Sequence, residues 1–529
     1  MPWVSAIVLL PLAGALSLLA VPPAPGGLRQ ARMHALVAAG GTLVLTAILV
    51  GLFDRGEGGL QFVDRQGWAE EAGLAWDVGV DGISLWLLLL TAVVFLLGIV
   101  AACWRPPERP RAFLALLLLA ETGLLGLFAA GHLVLFYVFW EATLVPFYFL
   151  IGMWSTAADR VRATTTFVIY TMAGSLLMLV AILATAFVAQ DITGQLTFTI
   201  RDLAGVAFTE TQSAWLFAGF ALAFAIKLPL WPFHAWLPMT YRAAPILVTA
   251  LLAAVMSKAG AYGLLRIGVP LFPEGADLLA VPIGALAVAG IVYGSLVAWR
   301  APTMRMLMAY SSLAHLGFIA LGIVAFDVMA GQGAVLQMVN HGVVVAAAFT
   351  IVGIINRAAP DDRMDGIGGL AAGAPLLAGV FLIVAMAGLA IPGSNAFVGE
   401  LFILAGVFRQ HLWLAVLASI GIVYASVYML RMYQSAMNGP ARGGLGRDAE
   451  LRARDLAVLL PLVAAMLVIA LWPRGVVDAT RASVERALAP AQAAAGRPAE
   501  QIRGPVPQNP PPEALPLPGD EPEQAEAAP

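Results

Sequence analysis

The sequence has few charged residues and a single cysteine. Only 12% of its 529 residues are charged, whereas 60% are hydrophobic, and this balance excludes an ordinary soluble domain. Since Cys103 stands alone, an intrachain disulfide, an iron–sulfur cluster and a multi-cysteine zinc site are excluded. The sequence also lacks phosphate-binding loops, Ser/His/Asp sets, HExxH motifs and nucleotide fingerprints. We therefore expect an ion path without redox chemistry of its own.

Lysine is scarce as well. Lys227 and Lys258 are the only two lysines, and both lie in apolar runs within residues 224–267. Arginine keeps its proton in proteins, whereas a desolvated lysine can release it. An ionisable group inside a membrane span is by default a candidate functional site. The alternative interpretation is a pair of structural lysines, each neutralised by a carboxylate.

Apolar runs of about twenty residues, the length that a helix needs to cross a bilayer, recur along the chain. They predict an all-α polytopic membrane protein with about fourteen transmembrane helices. The predicted centres lie near residues 12, 43, 92, 121, 142, 175, 222, 255, 288, 313, 342, 390, 422 and 462. The seventh span contains Pro229 and Pro232, and the twelfth contains Pro392 and Gly393. We predict that both are interrupted, as helices beside an ion path often are.

A weak internal repeat suggests how the chain is divided. SKAGAYGLLRI after the first predicted break resembles SVYMLRMY after the second. Two inverted five-helix repeats, residues 111–267 and 278–436, would each contain a discontinuous helix. Residues 1–110 would supply three further spans, and 453–473 the last one. In residues 474–529 we expect an interfacial amphipathic helix over 476–488, followed by a disordered Pro/Ala/Glu-rich tail from Ala489.

Arginines are concentrated in alternate connections between the spans. The odd-numbered connections carry roughly 17 arginines and the even-numbered ones roughly 5. The odd connections should therefore be cytoplasmic, which places both termini on the opposite face. The longest outer connections run over residues 54–80 and 190–212. The second contains QLTFTI, whose alternating pattern predicts a short strand or hairpin.

Titratable residues within the predicted spans form a short, ordered set of two acids, two lysines and two histidines. They are Glu141, Lys227, Lys258, His315, His341 and Glu400. Such groups can pass protons along a relay when desolvation and neighbouring charges bring their proton affinities close together. Other interpretations remain open: Glu141 as a structural partner of a lysine, and His315 and His341 as axial haem ligands. Nearer the predicted membrane edges, Glu121 is a candidate peripheral or structural acid, and His234 either orients the break or carries protons.

Several segments resemble the antiporter-like proton-pumping chains of respiratory complex I. They are FYVFWEATLVPFYFLIGMW, FAIKLPLWPFHAWLP, SKAGAYGLLRI, LMAYSSLAHLGFIALGI, NHGVVVAAAF and PGSNAFVGE. The resemblance implies a fourteen-helix fold with inverted five-helix repeats and a charge pair between Glu141 and Lys227. It further implies a central link through Lys258, His315 and His341, with Glu400 serving the exit side. Glutamate at position 400 resembles the M-type chain, since the L-type and N-type chains usually carry lysine there.

The resemblance also implies the setting of the chain. It would be a subunit of an NADH–quinone oxidoreductase in a bacterial inner membrane, beside L-type and N-type chains, with both termini periplasmic. FMN, iron–sulfur clusters and quinone would belong to the rest of the complex, with no cofactor or metal in this chain and no nucleic-acid partner. The segment from Met239 to Pro245 departs from the family's usual acidic, histidine-containing turn. A multisubunit cation/proton antiporter, a hydrogenase- or ferredoxin-linked relative and a non-conducting scaffold therefore remain alternatives.

Overall fold

The structure is a computed structural model that describes residues 2–22, 26–359, 363–440 and 446–496. Helices dominate it, and those of eight or more residues are numbered here in chain order. They are α1 Trp3–Ala20, α2 Gly27–Leu52, α3 Gly82–Trp104, α4 Pro110–Ala129, α5 Leu133–Trp154, α6 Arg160–Thr193, α7 Glu210–Lys227, α8 Trp236–Ala243, α9 Ile246–Leu271, α10 Pro273–Arg300, α11 Met304–Val324, α12 Val328–Ala358, α13 Pro375–Gly388, α14 Asn395–Gln410, α15 Leu412–Met437, α16 Ala453–Leu471 and α17 Arg474–Ala494.

Within these described residues, 12 helices are long and apolar enough to cross a membrane. They coincide with twelve of the predicted centres. The remaining two centres, near residues 222 and 390, fall on the helix pairs α7–α8 and α13–α14. These are the two spans that the sequence predicts to be interrupted. The prediction of an all-α polytopic protein with about fourteen spans is confirmed, with twelve continuous helices and two interrupted ones.

Both interruptions occur at the predicted prolines and glycine. The chain leaves α7 at Lys227 and resumes as a helix at Trp236. The indole of Trp236 donates to Ile226 O at 2.9 Å, so a side chain from beyond the break satisfies a carbonyl near the end of α7. At the second interruption, Gly393 takes a φ of +93°, a conformation that L side chains rarely adopt. The breaks therefore have local sequence causes.

The most deeply buried spans are α9, α11 and α12. α9 is irregular where it is most buried, with a 3-10 turn at Met256–Lys258 and a π turn at Leu264–Gly268. Gly260 allows the end of α7 to approach, since a Cβ there would overlap Phe224 O and lie 2.7 Å from Leu228 N. Close packing at Gly260 brings the first break against the centre of the molecule.

A β-hairpin lies in the connection between α2 and α3. Strand β1 is Gln61–Ala69 and strand β2 is Leu74–Val80, and they pair antiparallel. The strand or hairpin predicted in QLTFTI is wrong, because residues 195–200 form one isolated bridge, from Thr199 to His132. That segment lies beside the short turn between α4 and α5 and beside Gly73 in the turn of the hairpin, and it pairs with neither beyond the one bridge.

Helix α17 is longer than predicted and packs on protein. It continues to Ala494, so the prediction of disorder from Ala489 is wrong for its first six residues, and residues beyond 496 lie outside the described part. Its buried face includes Val476, Val484 and Leu488. The apolar face of this helix is thus covered by other helices of the bundle, which remove it from water.

Candidate functional site

Four of the six predicted site residues form a connected line at the middle of the molecule. Lys258 Nζ lies 2.7 Å from His341 Nδ1. The rings of His341 and His315 are in contact, with centroids 5.5 Å apart. His315 Nδ1 lies 2.9 Å from Glu400 Oε1. Every member is at most 6% exposed, so the line is isolated from solvent.

The irregular turn in α9 positions the first member of this line. In the 3-10 turn the Lys258 amide donates to Val255 O, and the carbonyl of Ala253 accepts side-chain donors instead. Lys258 Nζ donates to Ala253 O at 2.5 Å and also contacts Ser257 Oγ at 3.3 Å. Dipoles of the protein therefore replace water around the ammonium, as an embedded cation requires.

The second break positions the last member. Glu400 lies in α14, seven residues after Gly393, and its Oε1 accepts both from His315 and from Gln337 Nε2, the latter at 3.0 Å. A Cβ at Gly399 would lie 2.7 Å from Gln337 Oε1, so glycine there permits the close approach of α12. Asn340 and Asn395 form an amide pair beside the break. Sequence reasoning missed Gln337, one turn before His341, and Asn340, its immediate neighbour, although both are polar residues in an apolar span.

Lys227 is the last residue of α7 and is 1% exposed. Its ammonium donates to Thr143 Oγ1 at 3.2 Å and lies 4.7 Å from the ring centroid of Trp140, a cation–π contact. The C-terminal end of a helix also carries partial negative charge, which favours a cation there. Three separate features thus hold this lysine without a carboxylate in direct contact.

Glu141 does not form a direct ion pair with Lys227 in the described residues. It is half-buried, and its Oε1 has no hydrogen-bond partner there. Its sequence neighbours Trp140 and Thr143 contact the ammonium in its place. The charge pair implied by the resemblance is therefore an arrangement of nearby groups, and a functional role for it stays a prediction.

The structure also locates the residues that sequence reasoning placed near the edges. Glu121 lies in the middle of α4, is 0% exposed, and neither carboxyl oxygen has a partner among the residues described. This corrects its predicted position near a membrane edge, because α4 extends about ten residues on either side of it. His234 lies within the first break, where its ring packs on Tyr293 at 5.1 Å.

The haem alternative for His315 and His341 does not fit the geometry. Two axial ligands lie on opposite faces of a haem, whereas these imidazoles contact each other and are bound to Glu400 and Lys258. Among the described residues, no group of three or more His, Cys, Asp and Glu could hold a metal ion.

Outside the spans, His132 ties the hairpin to the bundle. Its Nε2 lies 2.9 Å from the carbonyl of Gly73, in the turn between β1 and β2. Burial lowers the pKa of the His132 imidazole from its ordinary value, the bond to Gly73 opposing this. The neutral ring therefore acts as a structural link between the hairpin and the start of α5.

Fold and site together define a helical, multi-pass membrane protein with a line of titratable side chains at its centre. The family model described as NADH:quinone oxidoreductase/Mrp antiporter, TM matches residues 130–425. The chain is 36% identical over 524 residues to NADH-quinone oxidoreductase subunit M of Mycobacterium tuberculosis (strain CDC 1551 / Oshkosh), covering 92% of this chain and 94% of the relative. It belongs to the NADH:quinone oxidoreductase/Mrp antiporter family.

Solved structures agree with this assignment. A chain of respiratory complex I from Thermus thermophilus with bound NADH is similar at a TM-score of 0.81 and 32% identity, covering 92% of this chain and 99% of that one. A chain of the Mrp complex from Dietzia sp. DQ12-45-1b has a TM-score of 0.82 at 21% identity, covering 94% and 99%. The second similarity concerns the fold alone.

Proposed function

We propose that this chain is the proton-translocating M-type subunit of an NADH–quinone oxidoreductase in a bacterial inner membrane. The observation that carries the proposal is the buried line from Lys258 through His341 and His315 to Glu400. Each member lies well inside an apolar helix, where an ionisable group is costly unless it has a function. The similarity to subunit M over nearly the whole chain supports the same conclusion.

Geometry gives each member of the line a role. The Lys258 ammonium can pass a proton to His341 Nδ1, because the two nitrogens are within hydrogen-bond distance. An imidazole accepts a proton on one nitrogen and releases one from the other, so the two contacting rings can relay it. His315 Nδ1 then delivers it to Glu400 Oε1, and Glu400 releases it towards the periplasm. Gln337 positions the Glu400 carboxylate through the second hydrogen bond on the same oxygen.

Lys227 and Glu141 control the delivery of protons to the line that begins at Lys258. A negative Glu141 stabilises the charged form of Lys227, and protonation of Glu141 favours release of the lysine's proton. Lys227 is held by Thr143 and Trp140, which flank Glu141 in sequence, so movement of this one segment of α5 alters the surroundings of the ammonium. The end of α7 packs on Gly260, two residues after Lys258, which places the two lysines on adjoining elements.

The proposed organisation follows the predicted boundaries. Residues 111–267 and 278–436 are two inverted five-helix repeats, preceded by three spans in 1–110 and followed by the span at 453–473 and the segment 474–529. The interruption in each block, at α7–α8 and at α13–α14, supports this division. Both termini face the periplasm, and the neighbouring chains include L-type and N-type subunits.

The redox chemistry belongs to the rest of the complex. FMN, iron–sulfur clusters and quinone react in other subunits, and this chain binds none of them. Oxidation of NADH there is coupled to proton transfer here. The chain is thus part of an enzyme without holding a redox site.

Substitution of Glu400 tests the proposal. Glu400→Gln keeps the shape of the side chain but removes its ionisable carboxyl group, so it should stop proton transfer through this chain. Glu400→Asp keeps a carboxyl group on a shorter side chain and should retain proton transfer at a reduced rate. Proton transport per NADH oxidised is measured in vesicles that contain the fully assembled complex. Glu274→Gln is the matched control, since Glu274 is an exposed carboxylate at the start of α10, outside the line. A Glu400→Gln variant that equals the wild type in rate and stoichiometry would show that Glu400 is structural.

A subunit of a multisubunit cation/proton antiporter is the second candidate, because the family and the fold include such proteins. Co-purification distinguishes the two candidates. NADH-oxidising activity with peripheral iron–sulfur chains supports the first, whereas cation-dependent proton exchange without them supports the second. The 36% identity to subunit M favours the first.

A further inference from the structure

A cavity lies in the bundle, away from the titratable line. It has a volume of about 310 Å³ and lies among α3, α5, α9, α12 and α16, near the arginine-rich ends of these helices. Its lining is largely apolar and includes Leu97, Ala101, Leu251, Phe349 and Leu462. A volume of this order is within the range of about 300–1,000 Å³ typical of small-molecule sites. An apolar interior within the hydrocarbon depth suits an acyl chain.

The mouth of the cavity lies at headgroup depth. Trp104 and Trp154 line it, and Trp104 is 44% exposed. Tryptophan is enriched where hydrocarbon meets the polar headgroups, because its indole combines an apolar body with one donor. Arg105 and Arg454 line the same end, so the polar part of an amphiphile would meet guanidinium groups there.

Cations outnumber anions at this mouth. Asp455 accepts from Arg105 Nη2 at 3.1 Å and from Arg357 Nη2 at 2.9 Å. Arg357 Nη1 is buried with no hydrogen-bond partner, and half-buried Arg454 has no ion pair within the described ranges. Arg105, Arg454 and Asp455 are the charged residues that line the cavity, and they leave a net charge of 2 − 1 = +1. The planar fork of arginine binds phosphate oxygens in a bidentate manner.

We propose that this cavity binds an anionic phospholipid from the leaflet on the arginine-rich side. Its phosphate is held by Arg105 and Arg454, which line the cavity beside Asp455, and one acyl chain enters the apolar interior. Basic pockets between transmembrane helices at the cytoplasmic surface are suited to anionic headgroups. The lipid would bridge α3, α12 and α16, which are far apart in sequence. The proposal does not depend on proton transfer through the central line.

Photolabelling tests this site. The probe is phosphatidylglycerol with a diazirine in its acyl chain, added to the detergent-solubilised native assembly, and labelled peptides are located by mass spectrometry. We expect labelling of α3 and α16 peptides that unlabelled phosphatidylglycerol displaces several-fold better than phosphatidylcholine does. Equal displacement by the two lipids would contradict recognition of the anionic headgroup.

Two variants separate the headgroup from the chain. Arg105→Gln with Arg454→Gln keeps the Arg357–Asp455 ion pair and should lower phosphatidylglycerol labelling to the level of phosphatidylcholine. Ala101→Phe fills the interior and should lower labelling by both lipids. Controls are Arg300→Gln, where the guanidinium stacks on Trp299, and Ala184→Phe on α6. Unchanged labelling in both test variants would overturn the proposal. If a variant does not assemble, the competition between phosphatidylglycerol and phosphatidylcholine on the wild-type assembly decides whether the site recognises the anionic headgroup.

Discussion

At the scale of single residues, the two lysines lie in different surroundings. Lys227 is bound by a hydroxyl and an aromatic face at the end of a broken helix. Lys258 is bound by a carbonyl, a hydroxyl and an imidazole inside an irregular turn. Within the described part of the chain, neither ammonium contacts a carboxylate directly. The structural alternative, in which each lysine is neutralised by a contacting acid, therefore finds no support in the geometry.

The charge and the titration of Lys227 can be separated by substitution. Lys227→Arg keeps a cation that cannot release its proton, so it should nearly abolish pumping, as Lys227→Ala and Glu141→Gln should. Proton uptake by vesicles is compared with NADH oxidation, after assembly has been checked on the same sample. Thr143→Val removes one ligand of the ammonium and should weaken pumping less. Normal pumping by assembled Lys227→Arg would mean that the residue supplies only a fixed charge.

At the scale of elements, α17 binds the outer ends of several spans together. The backbone amide of Gly82, at the start of α3, donates to Ser483 Oγ at 2.8 Å. Gln332 Nε2 donates to Val477 O at 2.9 Å, and Gln492 Nε2 donates to Phe326 O at 2.9 Å. These bonds link α17 to α3, α12 and the turn between α11 and α12. The helix thus connects the N-terminal three-span block to the second proposed repeat.

Replacing Gly82 should detach this helix. A Cβ at Gly82 would overlap Ala479 O, and such overpacking costs about 1–3 kcal/mol. We expect Gly82→Ala to increase protease cleavage within α17 and to lower the thermal stability of the assembly. Gly379→Ala in α13 is the control, because a Cβ there meets nothing within 4 Å. If the two variants are cleaved alike, α17 is not held through its contact with Gly82.

At the scale of the whole molecule, the line of titratable groups runs across the bundle. Lys258, His341 and His315 lie near the middles of α9, α12 and α11, and Glu400 follows the second break. A line that crosses spans at mid-membrane needs an entrance on one side and an exit on the other. The orientation of the chain in the membrane decides which end of the line is the entrance and which is the exit.

Single-cysteine labelling tests that orientation. Cys103 is buried and unpaired, so Cys103→Ala provides a cysteine-free background. Glu57→Cys, beside the hairpin, should react with an impermeant thiol reagent from the periplasm. Glu108→Cys, between α3 and α4, should react only from the cytoplasm, since its connection is arginine-rich. The reverse pattern would invert the proposed topology and exchange entrance and exit.

The sequence by itself determined the spans, the two breaks and the six candidate titratable residues within the spans. These are local properties: hydrophobic length sets a span, proline and glycine interrupt it, and an ionisable group in an apolar run is visible without any partner. The same local reasoning put a strand in residues 195–200 and stopped α17 too early. Strand pairing and helix docking depend on which distant segments lie beside them.

Only the tertiary structure decided which of those residues touch. Lys258, His341 and Glu400 are separated by long stretches of chain, and their order in sequence does not reveal that His315 bridges the last two. Gln337 became part of the site because Gly399 lets α12 approach α14. Glu141 was separated from direct contact with Lys227 because Trp140 and Thr143 occupy the space around the ammonium. Contact depends on packing between helices, and packing is a property of the folded chain as a whole.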